Sequence, residues 1–357
     1  MSRRFRINTS MADFNINHIT GKQGQQGTVL AGITTVSSTG AMRFPSGPTE
    51  QRGGGRQRGV FILGYAQSPG AYINTIEFLN IQTTGNSADF GDQAVLHSDP
   101  APMSSSTRGV FASGNGPSGH VTTIDYVTLS SSGGASDFGD VSTGAFQPGG
   151  ASDATRGVKA GGVITSPATI GFNIIEYVTI ASVGDASEFG DLSIARWAAP
   201  GVNSPTRAVF GGGANPTIHN VIDYITIQTK GDAKDFGDIL TTTRNVIPAC
   251  SSTRGIYAGG YTPTYINVIQ FLTISSLGNT SDFGDLTAGR ARAAGMSNSI
   301  RGVFAGGQYD PGSGKLAYNT IDYITIASTG NAADFGDMTT ACRLGAGVSG
   351  SHGGIGE

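Results

Sequence analysis

The sequence contains few charged residues, few cysteines and no long apolar run. Charged residues make up 13% of its 357 residues and the formal net charge is -3, so we expect no nucleic-acid partner, because nucleic-acid binding requires a basic face. Cys250 and Cys342 are the only cysteines, too few for a disulfide framework, and we expect two buried thiols. Without a run of about 18 apolar residues, no membrane insertion is expected. The N-terminus also lacks the apolar region of a secretory signal.

A repeat of about 49 residues is the main feature that the sequence does contain. Six copies of the motif DFGD, one of them EFGD, follow one another along the chain, and an arginine recurs in step with them. The second acid of the motif is Asp in every copy: Asp92, Asp140, Asp191, Asp238, Asp285 and Asp337. The recurring arginines are Arg58, Arg108, Arg156, Arg207, Arg254 and Arg301. Because self-similarity at a fixed period indicates a repeat architecture, we interpret the chain as six copies of one structural unit.

Each unit reads as a set of short strands. A stretch such as RGVFAGG is followed by a variable loop, then by a stretch such as NTIDYITIAS, a tight turn, the DFGD motif and a weaker run such as RARAAGMSNSI. The apolar stretches are rich in Ile, Val, Thr, Tyr and Phe and are bounded by Gly, Asn, Ser and Asp, which is typical of strands. Apolar residues at helical spacing are absent. We therefore predict an all-β protein with four-stranded units.

The units resemble kelch repeats, which have this length and form β-propeller blades. RGVFAGG resembles the second kelch strand with its terminal glycine pair, IDYITI resembles the third, and DFGDL falls where kelch places a Trp. The resemblance covers residues 58–355. It implies a six-bladed kelch-like β-propeller of four-stranded blades in residues 58–357. The chain ends with CRLGAGVSGSHGGI, which resembles a first strand, so we expect this C-terminal strand to close the propeller by joining the first blade.

The DFGD motif has a structural and a functional interpretation. Twelve carboxylates in six copies would suit a metal site or acid–base catalysis, but an active site needs one special place and all six copies are alike. We favour the structural interpretation: a turn in which Gly accepts unusual backbone angles, Asp satisfies nearby amides and Phe packs between blades. The second Asp of each copy is predicted to pair with one of the recurring arginines.

The loops after the second strand differ between units, and variable loops on a rigid scaffold are a common arrangement for recognition. Aromatic rings there could stack on sugars or anchor a protein partner, or they could simply cover the blade edges. The candidate ligand-binding residues are Tyr65, Tyr72, His120, Phe172, His219, Tyr261, Tyr265, Tyr309 and Tyr318.

No catalytic residue, metal site or cofactor is predicted. Kelch-like oxidases hold copper with Tyr and His, but the five histidines here are scattered without ligand spacing. The sequence has no P-loop and no G-x-S-x-G elbow, and its glycine strings lie at strand ends with no following helix. We therefore expect a protein that is not an enzyme.

Residues 1–57 lie outside the repeat and differ in composition, with short strand-like pieces separated by Gly, Ser and Gln. They contain too little apolar surface for an independent core. We predict an extended N-terminal arm that orders against the propeller or against another protein, the alternative being a flexible tail.

The arm leading into Gly-rich DFGD repeats resembles tail-fibre and other virion structural proteins of bacteriophages, particularly marine cyanobacterial phages. The resemblance implies that residues 1–57 bind other virion proteins, that several copies join a larger assembly, and that the propeller displays loops for a host cell-surface glycan or a neighbouring virion protein. Such a protein would be made in the host cytoplasm and located in the virion. The alternatives are a cellular kelch-like adaptor that binds a protein partner and a carbohydrate-active enzyme.

Overall fold

A computed structural model describes residues 35–36, 42–43, 57–166 and 168–352. The chain divides into two compact units, Met1–Gly54 and Gly55–Glu357. In the first unit, β1 (Thr35–Val36) pairs antiparallel with β2 (Met42–Arg43). The rest of the predicted arm lies outside the described residues, so its attachment role stays a prediction.

The second unit is all-β, as predicted from the repeat. It contains six four-stranded antiparallel sheets, called sheets one to six along the chain. No α-helix occurs among the described residues, and hence none there is long and apolar enough to cross a membrane.

The sheets have the following strands. Sheet one contains β3 (Arg58–Ile62), β6 (Thr75–Asn80), β7 (Ala88–Asp92) and, from the other end of the chain, β33 (Ala346–Ser349). Sheet two contains β8 (Ala101–Ser104), β9 (Arg108–Gly116), β10 (Gly119–Thr128) and β11 (Ser136–Asp140). Sheet three contains β12 (Gly149–Ser152), β13 (Arg156–Ala160), β16 (Ile174–Thr179) and β17 (Ser187–Asp191). Sheet four contains β18 (Gly201–Asn203), β19 (Arg207–Gly211), β20 (Val221–Thr226) and β21 (Lys234–Asp238).

The last two sheets and the loops complete the unit. Sheet five contains β22 (Ile247–Cys250), β23 (Arg254–Ala258), β24 (Val268–Thr273) and β25 (Ser281–Asp285). Sheet six contains β26 (Ala294–Ser297), β27 (Arg301–Ala305), β30 (Thr320–Thr325) and β31 (Ala333–Asp337). The loops add β4 (Tyr65–Ala66), β5 (Ala71–Tyr72) and β32 (Cys342–Arg343) in one small sheet, and the hairpins β14 (Val163–Ile164) with β15 (Ile170–Gly171) and β28 (Gln308–Tyr309) with β29 (Leu316–Ala317).

The hydrophobic core lies between neighbouring sheets. One buried cluster joins Val303 and Phe335 of sheet six to Phe61 of sheet one, and similar clusters join each other consecutive pair of sheets. This explains why the third strands carry apolar residues on both faces, since each sheet is covered on both sides. Full burial of each such side chain contributes about 1.5–3 kcal/mol, so the stability of the unit resides mainly in these interfaces.

The DFGD motif forms the fourth strand of each sheet rather than the predicted turn. In sheet one, Ile76 pairs with Gly91 and Glu77 pairs with Asp89, so Phe90 is an extra residue in a β-bulge. A bulge needs the same permissive residues as a turn, which is why the motif resembles one. The phenylalanines of the motif are buried against a ring of the third strand, at centroid distances of 5.8 to 6.2 Å.

Backbone hydrogen bonds connect each fourth strand to the next sheet. Gly133 N–H of sheet two donates to Phe90 O of sheet one at 2.7 Å. The same bond recurs at every later junction, and Gly85 N–H of sheet one donates to Phe335 O of sheet six at 2.8 Å. The sixth sheet is therefore bonded to the first in the same way as its other neighbours are bonded to one another.

The first strands are also arranged consecutively. The strands β8, β12, β18, β22, β26 and β33 each contact the next, and β33 contacts β8. The register of β33 on β3 places Val348 opposite Val60. The last described strand thus supplies the missing first strand of sheet one.

The recurring arginines do not form the predicted ion pairs with the second Asp of the motif. Arg207 lies 4.5 Å from the ring centroid of Tyr224 and donates to Ile274 O of the next sheet at 2.8 Å. Asp238 instead uses its backbone N–H, which donates to Asn279 Oδ1, and the residue is half-buried. Among the described residues the ion pairs are Lys159–Glu176, Arg196–Asp223, Arg290–Asp322 and Arg292–Asp99. Stacking on a ring keeps each arginine in place without desolvating a carboxylate, so the pairing prediction was wrong.

Candidate functional site

The variable loops meet at one end of the sheets, which we call the loop face. It consists of the loops between second and third strands and the loops that lead into each first strand. These two kinds of loop pair within each sheet through short bridges, for example Arg244 with Tyr261 and Ala291 with Gln308. All nine predicted ligand-binding residues lie at this face, eight of them in its loops and His120 near the start of β10.

Four of those nine residues line one cleft between sheets five and six. Tyr261 and Tyr265 come from the loop after β23, whereas Tyr309 and Tyr318 come from the longer loop after β27, which contains the β28–β29 hairpin. The cleft has a volume of about 530 Å³, within the range of small-molecule binding sites. The hairpin makes this loop the longest of the six, and its length creates one wall of the cleft.

The four tyrosines form two ring pairs. Tyr261 and Tyr265 pack edge to face with centroids 5.1 Å apart, and Tyr309 and Tyr318 stack at 4.2 Å. A hydrogen bond from Gln308 Nε2 to Tyr265 OH links the two walls. All four rings are half-buried, so each retains surface that a ligand could contact.

The cleft also contains a group of cationic side chains. Arg244, Arg292 and Lys315 line it, and Arg343 donates to Oε1 of the lining residue Gln308 at 3.2 Å. Burial lowers the pKa of Lys315, and the positive charges of these three arginines lower it further. Burial likewise lowers the pKa of Arg292, although the nearby Asp99 carboxylate opposes that shift.

Beside the cleft, six residues in left-handed backbone conformation lie where the loops enter the first strands: Asp99, Gln147, Ala198, Asn245, Arg292 and Leu344, with φ from 47 to 64°. Backbone hydrogen bonds of 2.8 to 3.3 Å join five of the neighbouring pairs, such as Asp99 N–H to Leu344 O. At the sixth pair the Gln147 side-chain amide donates to Asp99 Oδ2 at 3.2 Å. All of these residues except Leu344 line a cavity of about 70 Å³, large enough for water but not for a sugar.

The other predicted residues of the loop face lie away from the cleft. Tyr65 packs edge to face on Tyr72 at 5.4 Å and has Arg343 4.7 Å from its ring centroid. Tyr72 OH accepts a hydrogen bond from Asn115 Nδ2 at 2.7 Å. Phe172 and His219 are half-buried in their own loops. The structure therefore places five of the nine residues outside the cleft.

A hydrogen bond and a ring contact hold the His120 side chain against residues of the next sheet's loops. Its Nε2 accepts a hydrogen bond from Thr165 N–H at 3.0 Å, and its ring stacks near Phe146 at 6.4 Å. Burial lowers the pKa of His120. Because Nε2 is an acceptor here, the imidazole is neutral with its proton on Nδ1.

The opposite end of the first strands carries a ring of small polar residues. Ser104 Oγ donates to Ser349 O at 2.8 Å, and Ser152 Oγ donates to Ser104 O at 2.9 Å. His352 covers this end, with Nδ1 3.0 Å from Ser104 Oγ and Nε2 3.2 Å from Ser152 Oγ. Burial lowers the pKa of His352, against the effect of its hydrogen bond to Ser349 O. Cys250 lies in the same ring, and both cysteines are buried thiols, as expected.

Sequence reasoning missed a row of buried polar side chains on the third strands: Glu77, Asp125, Glu176, Asp223, Gln270 and Asp322. Each accepts a hydrogen bond from the loop that leads into its own sheet, as Asp223 Oδ2 does from Ser193 N–H at 3.1 Å. In the sequence, these side chains correspond to the acidic or amide residue at the second position of stretches such as IDYITI. That residue lies between apolar neighbours, and its burial was not predicted.

Within the described residues, no group of three or more His, Cys, Asp or Glu side chains has the arrangement of a metal site. No family model matches this chain. No curated protein matches it either. The functional proposal therefore rests on the geometry of the loop face and on the resemblances carried by the repeat and the arm.

Proposed function

We propose that residues 58–357 form a six-bladed kelch-like β-propeller closed by β33. Three features support the proposal, and each runs through all six sheets and returns from the sixth to the first: the apolar clusters, the hydrogen bonds of the DFGD strands and the recurring arginines. The last arginine, Arg301, donates to Gln82 O of sheet one at 2.8 Å. A twisted stack of sheets that bonds its last member to its first is the arrangement of a propeller.

The protein is, on this proposal, a non-enzymatic structural protein of a bacteriophage virion, in the tail fibre, the baseplate or a head decoration. Residues 1–57 anchor it to other virion proteins and the propeller displays its loop face. The resemblance of the arm and the Gly-rich repeats to virion proteins supports this assignment.

The loop face, on the same proposal, binds a glycan of the host surface in the cleft between sheets five and six. One observation carries this step: four half-buried tyrosines from two loops converge on a cleft that also presents Arg, Lys, Gln and Asp side chains. Sugars are bound by this combination, because aromatic rings stack on their apolar faces while polar side chains bond their hydroxyls.

A test compares the full chain with a chain beginning at Gln57, using light scattering and a glycan array. We expect the full chain to assemble, the shortened chain to be a folded monomer, and both to bind the same glycans. Two monomers would contradict anchoring by the arm, and the absence of glycan binding would contradict the role of the cleft.

A protein partner is the second candidate, supported by an apolar area elsewhere on the loop face. Phe146, Trp197 and Ile218 pack together between sheets three and four, and Ile170 nearby is 48% exposed. A neighbouring virion protein, or the partner of a cellular kelch-like adaptor, would use this area rather than the cleft.

A further inference from the structure

We infer that the cleft between sheets five and six selects an acidic glycan, whose carboxylate lies among Arg244, Arg292 and Lys315 while a sugar ring contacts the tyrosines. This inference rests on the proposed glycan-binding function and specifies the class of sugar. It assigns the cationic side chains to recognition of the ligand charge.

The cleft carries a surplus of positive charge. The positive charges of Arg244 and Arg343 lower the pKa of Arg292, and those of all three arginines lower the pKa of Lys315. Among the described residues, the carboxylates that oppose these shifts are Asp99 and Asp310. Asp99 is 3.8 Å from Arg292, and Asp310 accepts hydrogen bonds from Gly312 N–H and Gly314 N–H of its own loop. Cations that repel one another in a partly desolvated site are stabilised when an anion binds between them.

Among the described residues, the guanidinium of Arg244 forms no ion pair with a carboxylate. Arg244 lies 5.1 Å from the ring centroid of Tyr261, and this stacking holds its guanidinium plane at the cleft wall. A guanidinium held in this way presents parallel N–H groups that match a carboxylate.

Other buried cations of the same unit differ from those at the cleft. Arg196 and Arg290 are also buried, but each has a carboxylate partner, Asp223 at 3.1 Å and Asp322 at 3.2 Å. These two buried arginines are therefore neutralised by carboxylates of the same unit. Among the described residues, neither Arg244 nor Lys315, which lie in the unit-specific loops, forms an ion pair with a carboxylate.

The test uses isothermal titration calorimetry with the full chain. The carboxylated probes are trisaccharides of galacturonate, glucuronate, mannuronate and guluronate and two sialyllactoses. Each is compared with its methyl ester. A sulfated lactose and lactose itself are two further probes. Methyl esters keep the ring and remove the charge. We expect at least one carboxylated probe to bind, its ester to bind at least about tenfold more weakly, and added salt to weaken binding.

Two substitutions locate the site. Arg244→Gln and Lys315→Gln remove charge from the cleft, and each should weaken binding of the carboxylated probe by about threefold to tenfold. Lys230→Gln removes an exposed charge that does not line the cleft and should leave binding unchanged. Unaltered thermal melting would show that Lys315→Gln, in an exposed loop position, leaves the fold intact.

The outcomes separate the two proposals. Binding of a neutral probe as tightly as its carboxylated form, or tightest binding of the sulfated probe, overturns the choice of a carboxylated sugar and leaves glycan binding in place. If Lys230→Gln weakens binding as much as the cleft substitutions do, the carboxylate does not bind in this cleft. If no probe of any charge binds, both the inference and the glycan-binding function fail.

Discussion

Individual side chains decide how the loops are attached to the sheets. The buried acids of the third strands accept hydrogen bonds from loop N–H groups, and three of them have a cation as well, such as Lys159 Nζ 2.9 Å from Glu176 Oε2. Among the described residues, no cation forms such a pair with Asp125. It is 1% exposed and accepts one bond from Val95 N–H at 3.1 Å. Burial raises the pKa of Asp125 to about 6.

Replacement of Asp125 by Asn should stabilise the protein at pH 8. The folded-state pKa lies above the ordinary value, so the stability that this group contributes is present below about pH 4 and is lost as the pH rises through about 6. Asn keeps the acceptor for Val95 and avoids the buried charge. Thermal melting should show a rise of a few degrees at pH 8 and almost none at pH 4.

Glu176→Gln is the matched control in the next sheet. Lys159 and the bonds from Ser142 hold the pKa of Glu176 below its ordinary value, against the effect of burial. The substitution leaves Lys159 as a buried, unpaired charge, so it should lower the melting temperature at pH 8. A fall in stability for Asp125→Asn as well would contradict this account of the two sites.

At the scale of elements, the bulged DFGD strand connects one sheet to the next. Its glycine has φ near +145 to +158° in all six copies, and the next sheet lies directly against it. A Cβ on Gly237 would be 2.6 Å from the carbonyl carbon and oxygen of Gly278. Gly278 has φ +148°, but a Cβ there would have no neighbour within 4 Å.

Gly237→Ala and Gly278→Ala therefore separate backbone strain from packing between sheets. Both variants carry the cost of an unfavourable φ, about 1–3 kcal/mol. Only Gly237→Ala also forces the two sheets apart, which should add about 1–3 kcal/mol. Urea unfolding measures both. Equal losses in the two variants would show that the close approach of the sheets contributes nothing.

The sequence predicted these elements well where a repeat exposes them and poorly elsewhere. Short strands, four per unit, followed from the recurrence of stretches such as RGVFAGG and IDYITI. The DFGD strand was mistaken for a turn because a bulge uses the same Gly and Asp. The cleft could not be predicted, because it depends on how Tyr265 and Tyr309, from loops that differ between units, are brought together by packing of the sheets.

At the scale of the whole molecule, the apolar packing between neighbouring sheets governs stability. Each sheet has neighbours on both sides, so no interface can open without exposing apolar surface. Sheet one combines strands that are far apart in the sequence, since β33 is held on β3 by hydrogen bonds and by apolar contacts of Ala346 and Val348. Strand β33 also contacts β8 and β26, and it therefore links sheet one to both adjacent first strands.

The central claim, a six-bladed propeller closed by its C-terminal strand, is tested most directly by native-state hydrogen exchange of the amides in Ala346–Ser349. Strand β22 (Ile247–Cys250), the first strand of sheet five, is the internal reference. We predict that the amides of β33 that bond β3 exchange with the same free energy of opening as those of β22, because both are released only by global unfolding. Exchange of the β33 amides at the low free energies of a frayed chain end would contradict the closed propeller.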